Sequence, residues 1–297
     1  MAIYVTGDTH GADSFGGYRD VNGYIPRLNM RNFPEQKSLT KDDIVIICGD
    51  FGGVWDVNQF AFKESPKEKH DLDWLDGRSF TTLVVPGNHE NYDRLTGCTD
   101  ERLLNCWFYE DMPEPEKEKL RKGYPRKEWN GGTVRMIRPS VLMAEPGVFD
   151  LCGYKCFCYG GAGSHDIQDG ILDPADFADA ELFSDKDRLL WEAGALYRVK
   201  GVSWWAQEQP GSKQEAQALQ ALHNAGDHVD FIFTHDAPEV YSRQFSLEGP
   251  TTRINQFLQS IKDTVSYRHW YFGHYHDNKN MPGGRDHLIY EQIILLS

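Results

Sequence analysis

The sequence lacks any apolar run long enough to cross a membrane, which would need about 20 residues. Its first residues, MAIYVTGDTH, also lack the basic region and the long apolar stretch of a signal peptide. Basic residues are few, since 31 Lys and Arg stand against 45 Asp and Glu, and the formal net charge is -14. Because such a surface repels nucleic acid phosphates, the charge disfavours a protein that handles long nucleic acid. We therefore expect a cytoplasmic protein with no membrane partner.

Cysteine is scarce as well, with six residues and no CxxC pair. Cys48 lies within an apolar run, and Cys156 and Cys158 alternate along YKCFCY, as residues on one buried face of a strand do. A metal cluster of Cys152, Cys156 and Cys158 is the alternative interpretation, but packing explains the alternation directly. The cysteines therefore indicate reduced, structural thiols of a cytoplasmic protein.

What the sequence does contain is typical of a globular α/β protein. With 297 residues, 40% of them hydrophobic, the chain is long enough for a well-buried core. Apolar, β-rich runs that end in glycine or polar residues predict strands, at residues 2–10, 43–53, 81–90, 155–166, 230–238 and 269–276. Helices are predicted between them, at roughly residues 57–77, 93–104, 184–196, 203–225 and 250–263. This alternation predicts an α/β fold, and without an internal repeat or linker we expect one domain over residues 1–297.

One insertion interrupts the alternation, at roughly residues 105–150. Its first part, residues 109–128, has twelve charged residues among twenty, balanced in sign, and three prolines. We expect that part to be a solvated insertion or a lid. The following stretch, GTVRMIRPSVLMAEPGVFDLCGYKCFCY, has the pattern of β-hairpins and is predicted to add strands to a second sheet.

Polar side chains with metal-binding character follow five of the predicted strands. They are Asp8 and His10 in GDTH, Asp50 in GDFGG, Asn88 in PGNHE, His235 in THD, and His274 and His276 in GHYH. Each group follows a glycine or a small residue, which lets a backbone or a ligand approach closely. For PGNHE alone, a helix cap at Asn88 and a surface position for His89 remain equally good interpretations. The recurrence of the pattern at strand ends favours a ligand site.

The donor types of these seven residues indicate the metal. A mixture of imidazole and carboxylate oxygen suits Zn, Fe, Mn or Ni, whereas oxygen ligands alone would suit Ca or Mg. Seven donors are too many for one ion that must also bind water and substrate. They suit two ions that share a bridging carboxylate, about 3.5–4 Å apart. The sequence therefore predicts two divalent transition-metal ions.

In order along the chain, these motifs resemble the signature of the calcineurin-like metallophosphoesterases: D-x-H, G-D, G-N-H-[DE], a later His, and G-H-x-H. The resemblance spans residues 7–276 and implies a two-sheet αββα sandwich with helices outside. It also implies a metal-dependent hydrolase of phosphate esters. By this resemblance, the first metal is bound by Asp8, His10 and His276, Asp50 bridges, and the second metal is bound by Asn88, His235 and His274. A hydroxide that bridges the metals would be the nucleophile, and His89 would protonate the leaving oxygen.

The second motif departs from part of this family. Ser/Thr protein phosphatases and dinucleoside-polyphosphate hydrolases have G-D-x-x-D-R-G there, whereas this chain has GDFGGVW. The Asp that would orient the catalytic His and the Arg that would bind phosphate are therefore missing at those positions. Arg94 is a candidate replacement for the phosphate contact, and pairing with Glu90 on an exposed helix face is the alternative that we favour.

Two further stretches, YGGAGSHD (159–166) and SWW followed by acidic and Gln residues (203–209), resemble sequences of bacterial and phage-encoded members of the superfamily. His165 or Asp166 is a candidate for the rim of the site, although a turn with Asp166 as a helix cap is the simpler interpretation. Trp204 and Trp205 are expected in the core rather than as a platform for substrate.

The sequence supports three functions to different degrees. A phosphoester hydrolase that acts on a small phosphorylated substrate is favoured, and a nucleotide phosphodiesterase or nuclease of the same fold is the alternative. The acidic charge disfavours the nuclease for long nucleic acid. A non-catalytic metal-binding scaffold is less favoured, because none of the ligand positions is lost. The substrate, the metal pair and the oligomeric state do not follow from the sequence.

Overall fold

The computed structural model describes residues 1–11, 27–60, 62–245 and 251–296. The predicted helix 57–77 includes residue 61, and the predicted helix 250–263 begins at residue 250; both residues lie outside these ranges. The strands are β1 (Ile3–Thr6), β2 (Ile44–Cys48), β3 (Thr81–Val85), β4 (Arg126–Trp129), β5 (Gly132–Arg138), β6 (Val141–Ala144), β7 (Gly147–Leu151), β8 (Tyr154–Tyr159), β9 (Ile171–Leu172), β10 (Arg198–Val199), β11 (Phe231–Thr234), β12 (His269–Phe272), β13 (Lys279–Asn280), β14 (Asp286–Leu288) and β15 (Ile294–Leu295). The helices are α1 (Pro66–Asp76), α2 (Glu101–Leu104), α3 (Glu114–Lys122), α4 (Ala180–Glu192), α5 (Ser212–Asn224), α6 (Glu239–Phe245) and α7 (Arg253–Thr264).

Two mixed sheets form the centre of the protein. Within the described ranges, the first sheet has the order β15-β1-β2-β3-β6-β5-β4 and the second has the order β13-β14-β12-β11-β8-β7. The strands from β1 to β3 and β6 are parallel to one another, as are β8, β11, β12 and β14. Antiparallel strands lie at the edges of both sheets. This architecture confirms the two-sheet α/β sandwich that the sequence predicted.

The apolar side chains divide into layers because they alternate along the buried strands. Between the sheets, Ile3 and Val5 of β1 pack in one cluster with Cys156 and Cys158 of β8. The outer face of the first sheet packs against α1, and the outer face of the second sheet packs against α5, α6 and α7. All six cysteines are free thiols, and the predicted packing role of Cys156 and Cys158 is confirmed.

Helix boundaries differ from the predicted ones where local residues interrupt the helix. α1 begins at Pro66 because Ser65 caps it and accepts a hydrogen bond from the N–H of Glu68. The predicted helix 93–104 is instead a π-helical turn, Asp93–Gly97, followed by α2. Before α5, residues 206–208 form only a 3-10 turn. None of the helices in the described ranges has the length and apolar character needed to span a membrane.

The segment 109–128, predicted as solvated, is partly buried. It contains α3, a helix that the sequence analysis did not predict, and Leu120 of α3 packs in a small cluster with Phe108 and Met112. The following β-hairpin pattern also divides differently from the prediction. β5 and β6 join the first sheet, and only β7 and β8 join the second.

Candidate functional site

The seven predicted ligand residues follow five strands that end at the same side of the sandwich. β1, β2 and β3 are neighbours in the first sheet, and β11 and β12 are neighbours in the second. Because neighbouring strands within each set are parallel, their carboxyl ends lie together, and so do the loops that follow them. The structure brings these residues into two groups that share one carboxylate.

The first group lies between the two sheets and has donor atoms within 4.8 Å of one another; it consists of Asp8, His10, Asp50 and His276. The Nε2 atoms of His10 and His276 are 2.9 Å apart. His276 Nε2 is 3.1 Å from Asp8 Oδ2, and His10 Nε2 is 3.9 Å from Asp50 Oδ2. Two imidazoles and two carboxylates therefore converge on one point, as ligands of a transition metal do.

The second group consists of Asp50, His235 and His274. His235 Nε2 is 3.2 Å from Asp50 Oδ1 and 3.2 Å from His274 Nδ1. The amide oxygen of Asn88 is also 3.2 Å from His235 Nε2, so Asn88 joins this group and caps no helix. Asp50 thus directs Oδ1 towards the second group and Oδ2 towards the first, which is the arrangement that a bridging carboxylate needs.

Glycines make room for three of these side chains. A Cβ atom on Gly49 would lie 1.8 Å from Nδ1 of His235. On Gly87, it would lie 2.2 Å from Oδ1 of Asp50, and on Gly273, 2.1 Å from Oδ1 of Asp8. Any other residue would displace the ligand side chain at each position, and so the glycine before each motif has a steric cause.

Four of the candidate ligands have left-handed backbone conformations. The φ angles are 50° at His10, 39° at Asp50, 71° at His274 and 49° at His276. Such conformations cost roughly 1–3 kcal/mol each in non-glycine residues and are characteristic of functional sites. A backbone hydrogen bond joins two of these turns, since the carbonyl oxygen of Asp50, just after β2, accepts from the N–H of His10 at 2.8 Å. The ligand positions are therefore held by main-chain geometry.

The electrostatics of the cluster suit bound cations. Asp8 and Asp50 are buried, with 0% and 2% exposure. Although burial opposes it, these two carboxylates raise the pKa of His235 to about 10. Burial of the more peripheral His10 lowers its pKa to about 4. The centre of the site therefore favours positive charge, and the donor set fits divalent transition-metal ions.

His89 belongs to neither group, although its ring contacts that of His10 edge-on with centroids 5.1 Å apart. Its ring stacks on Trp55, with centroids 5.6 Å apart and 19° between planes, while its backbone N–H donates to Asp50 Oδ1 at 2.8 Å. Nη2 of Arg198 is 3.0 Å from His89 Nε2. Burial lowers the pKa of His89, and Arg198 adds to this effect. The imidazole is thus oriented beside the cluster by Trp55 and Arg198.

The structure replaces both interpretations of Arg94. Its side chain is buried, and it donates to both carboxylate oxygens of Glu68, at 3.0 and 2.5 Å, and to the backbone oxygen of Asp56. It is neither exposed on a helix nor paired with Glu90, because Glu68 of α1 binds its guanidinium. Arg94 therefore stabilises this loop, and the phosphate contact predicted for it was wrong.

Glu90, to which the sequence analysis assigned no role, supports the loop that contains Asp50. It is fully buried, and Oε1 accepts from the N–H of Phe51 at 2.7 Å. Burial raises its pKa to about 8, and the nearby Asp50 carboxylate adds to the increase. Glu90 thus fixes the backbone next to Asp50, the carboxylate that the two ligand groups share.

Two segments at the edge of the site contact each other, which no motif in the sequence indicated; we call them the paired loops, residues 160–166 and 198–209. Glu208 links them, since it accepts from the N–H and the hydroxyl of Ser164, both at 2.8 Å, and from Nε1 of Trp204 at 3.1 Å. Asp166 accepts from Nε of Arg198 at 2.6 Å. Asp166 therefore forms an ion pair with Arg198 and is not a helix cap.

Other residues of the same two motifs lie around the site. The ring of His165 is 6.1 Å from the ring of His274, at the rim of the second group. Trp205 is buried, as expected, and its ring contacts Trp55 edge-on at 5.4 Å. The resemblance of YGGAGSHD and SWW to superfamily members was the available signal, but it did not reveal that these stretches contact each other.

The fold and the two ligand groups define the class of this protein: a two-sheet α/β protein with a His/Asp cluster that can bind metal. The sequence matches the calcineurin-like phosphoesterase family over residues 1–278, and the chain belongs to this family.

Among solved structures, the chain is similar to phosphopantetheinyl hydrolase from Mycobacterium tuberculosis. The two are 14% identical, the comparison covers 97% of this chain and 89% of the other, and the TM-score is 0.34. No curated protein matches the sequence.

Proposed function

We propose that this protein hydrolyses phosphate esters with a dinuclear metal centre. The observation that carries the proposal is the shared carboxylate: Asp50 belongs to both ligand groups and directs one oxygen to each. Asp8, His10 and His276 would complete the first metal site, and Asn88, His235 and His274 the second. The imidazole and carboxylate donors suit Mn, Fe, Zn or Ni.

Metal ions and protein side chains would have different roles in the hydrolysis. Bound metal ions would supply an activated water and would neutralise charge on the phosphoryl oxygens. His89 would protonate the leaving oxygen, since imidazole is the side chain best matched to proton donation near neutral pH. Its stacking on Trp55 fixes the plane of the ring. The hydrogen bond from its backbone to Asp50 fixes its distance from the shared ligand.

The substrate that we propose is a small phosphorylated molecule. The acidic balance of the chain favours such a substrate over long nucleic acid. A nucleotide phosphodiesterase would use the same metal centre and is the second candidate. A non-catalytic scaffold is disfavoured because all seven ligand positions are filled by residues that can bind metal.

Metal content and hydrolysis together test this function. Protein stripped with a chelator and reloaded separately with Mn, Ni, Zn or Fe should bind about two ions per chain. The reloaded protein should hydrolyse p-nitrophenyl phosphate or its bis ester, and the stripped protein should be inactive. Elemental analysis and release of p-nitrophenol provide the two measurements. Protein that binds no metal and cleaves neither ester with any of the four ions would contradict the proposal.

A further inference from the structure

Arg198 is a cation at the site that no motif of the metal centre includes. It lies in β10, more than a hundred residues from PGNHE in the sequence, and its side chain is only 7% exposed. Three contacts fix its guanidinium: Nε donates to Asp166, Nη1 donates to the backbone oxygen of Ser203 at 3.1 Å, and Nη2 is 3.0 Å from His89 Nε2. The paired loops thus hold a positive charge beside the proposed proton donor.

This guanidinium can donate further hydrogen bonds to a ligand. An arginine side chain has five N–H groups in a planar fork, and each terminal nitrogen bears two of them. Within the described ranges, its contacts use one donor on each of the three nitrogens. One N–H on Nη1 and one on Nη2 remain, and a pair of this kind matches two oxygens of a phosphate.

We propose that Arg198 binds the phosphate group of the substrate and makes the site selective for phosphate monoesters over diesters. This inference rests on the proposed function. The second motif of this chain, GDFGGVW, contains no arginine, and Arg94 is occupied by Glu68. Arg198 supplies the missing cation from a different part of the fold, next to the residue proposed to protonate the leaving group.

Charge explains the selectivity. A monoester near neutral pH bears close to two negative charges, because the second pKa of phosphate is about 6. A diester bears one negative charge and offers one fewer terminal oxygen to the guanidinium fork. Because the Arg198 side chain is only 7% exposed, its fixed charge stabilises the monoester more than the diester. Asp166 is the positioning residue, since its carboxylate holds the guanidinium in this orientation.

The test compares Arg198→Ala and Arg198→Lys with Lys200→Ala. Lys200 is a matched control because it lies two residues further along, and it pairs with Asp100 and Asp173 away from His89. We expect Arg198→Ala to lower kcat/KM for p-nitrophenyl phosphate about 100-fold and that for the bis ester less than about 10-fold. Arg198→Lys should fall between wild type and Arg198→Ala, and Lys200→Ala should match wild type on both esters.

Binding of inorganic phosphate provides a measurement that does not depend on turnover. Titrated against metal-loaded protein and followed by calorimetry, phosphate should bind roughly 10-fold or more weakly to Arg198→Ala than to wild type. Asp166→Asn should weaken phosphate binding less than Arg198→Ala, and it should raise KM for the monoester more than it lowers kcat. Melting temperatures of all variants show whether the fold is retained, and Arg198→Lys allows the test if Arg198→Ala does not fold.

The outcomes separate this inference from the function on which it rests. Equal losses on both esters, with phosphate affinity unchanged in Arg198→Ala and Arg198→Lys, would show that Arg198 only ties the loops together and would overturn the inference. If wild type hydrolyses neither ester, the proposed hydrolase function fails, while the phosphate titration still decides whether Arg198 binds the anion.

Discussion

The strand ends that hold the seven candidate ligands differ from the paired loops in what fixes their side chains. At the strand ends, main-chain geometry fixes the side chains. The strands are buried and parallel, four residues have a left-handed backbone, and glycines leave room for the ligands. In the paired loops, side chains do so, through Glu208, Ser164, Asp166 and Arg198. The proposed metal ligands are therefore held by the fold itself, whereas the proposed phosphate contact depends on a few side-chain hydrogen bonds.

This difference has a consequence for mutation. A change at a strand end alters the ligand, its backbone and the packing beneath it together. A change in the paired loops alters one hydrogen bond or one charge. We therefore expect the two regions to give different combinations of lost metal, lost activity and lost stability, and three substitutions beyond those at Arg198 measure this.

The largest effect is expected for Asp50→Asn. The amide removes the negative charge that both ligand groups share, and with it several kcal/mol of the stabilisation that metal ions give to the transition state, a factor on the order of 10³ in turnover. We also expect fewer bound ions per chain in elemental analysis. Asp42→Asn, at an exposed position just before β2, is the control. A variant that keeps two ions and wild-type turnover would show that Asp50 does not bridge.

His89→Ala should separate chemistry from metal binding. Because the imidazole lies beside the ligand groups, we expect the metal content to stay at the wild-type level. Turnover of alkyl phosphates, whose leaving groups need a proton, should fall about 10²-fold, and p-nitrophenyl phosphate should be affected less. His223→Ala, which removes an exposed histidine of α5, is the matched control. A loss of metal, or an equal loss for all leaving groups, would contradict the assignment of His89 as the proton donor.

The smallest effect is expected in the paired loops, for Glu208→Gln. Burial raises the pKa of Glu208 from its ordinary value of 4.5 to about 7, so the folded protein favours the neutral carboxyl. Its stabilising contribution is complete below pH 4.5 and is lost as the pH rises to about 7. Glutamine stays neutral and can keep the contacts to Ser164.

The free energy of unfolding of Glu208→Gln, compared with that of wild type, should therefore increase as the pH rises from 5 to 8, by up to about 3 kcal/mol. Melting temperatures across this range measure the difference, with Glu192→Gln at an exposed position as the control. A difference that does not change with pH would show that the folded protein does not favour the neutral carboxyl.

The convergence of the strand-end candidate ligands could be predicted from the sequence because each lies within a few residues of a buried apolar run. For Asp8, Asp50 and Asn88, the run, the glycine and the ligand are all local, and parallel strands then bring the motifs together. The same runs predicted an α/β fold, and the family resemblance implied the two-sheet sandwich. The fold could be predicted to this extent because buried apolar runs identify the strands, and the order of strands and helices along the chain identifies the fold class.

What could not be predicted depends on contacts between distant segments. Arg198 reaches His89 across 109 positions of the sequence, and Glu68 reaches Arg94 across 26. No local pattern distinguishes an arginine that faces the site from one that is buried against a helix. The charges of residues 109–128 likewise predicted solvent exposure and concealed α3, whose Leu120 packs with Leu103 and Leu104 of α2 as well as with the nearby Met112.

The glycine contacts between the sheets also limit how the protein can move. Gly49 of the first sheet makes room for His235 of the second, and Gly273 of the second makes room for Asp8 of the first. A side chain next to each sheet thus lies against a backbone glycine next to the other sheet. If one sheet slid past the other, the His235 ring or the Asp8 carboxylate would clash with the main chain. We therefore expect any movement around a substrate to come from the loops at the rim, with the two sheets moving together.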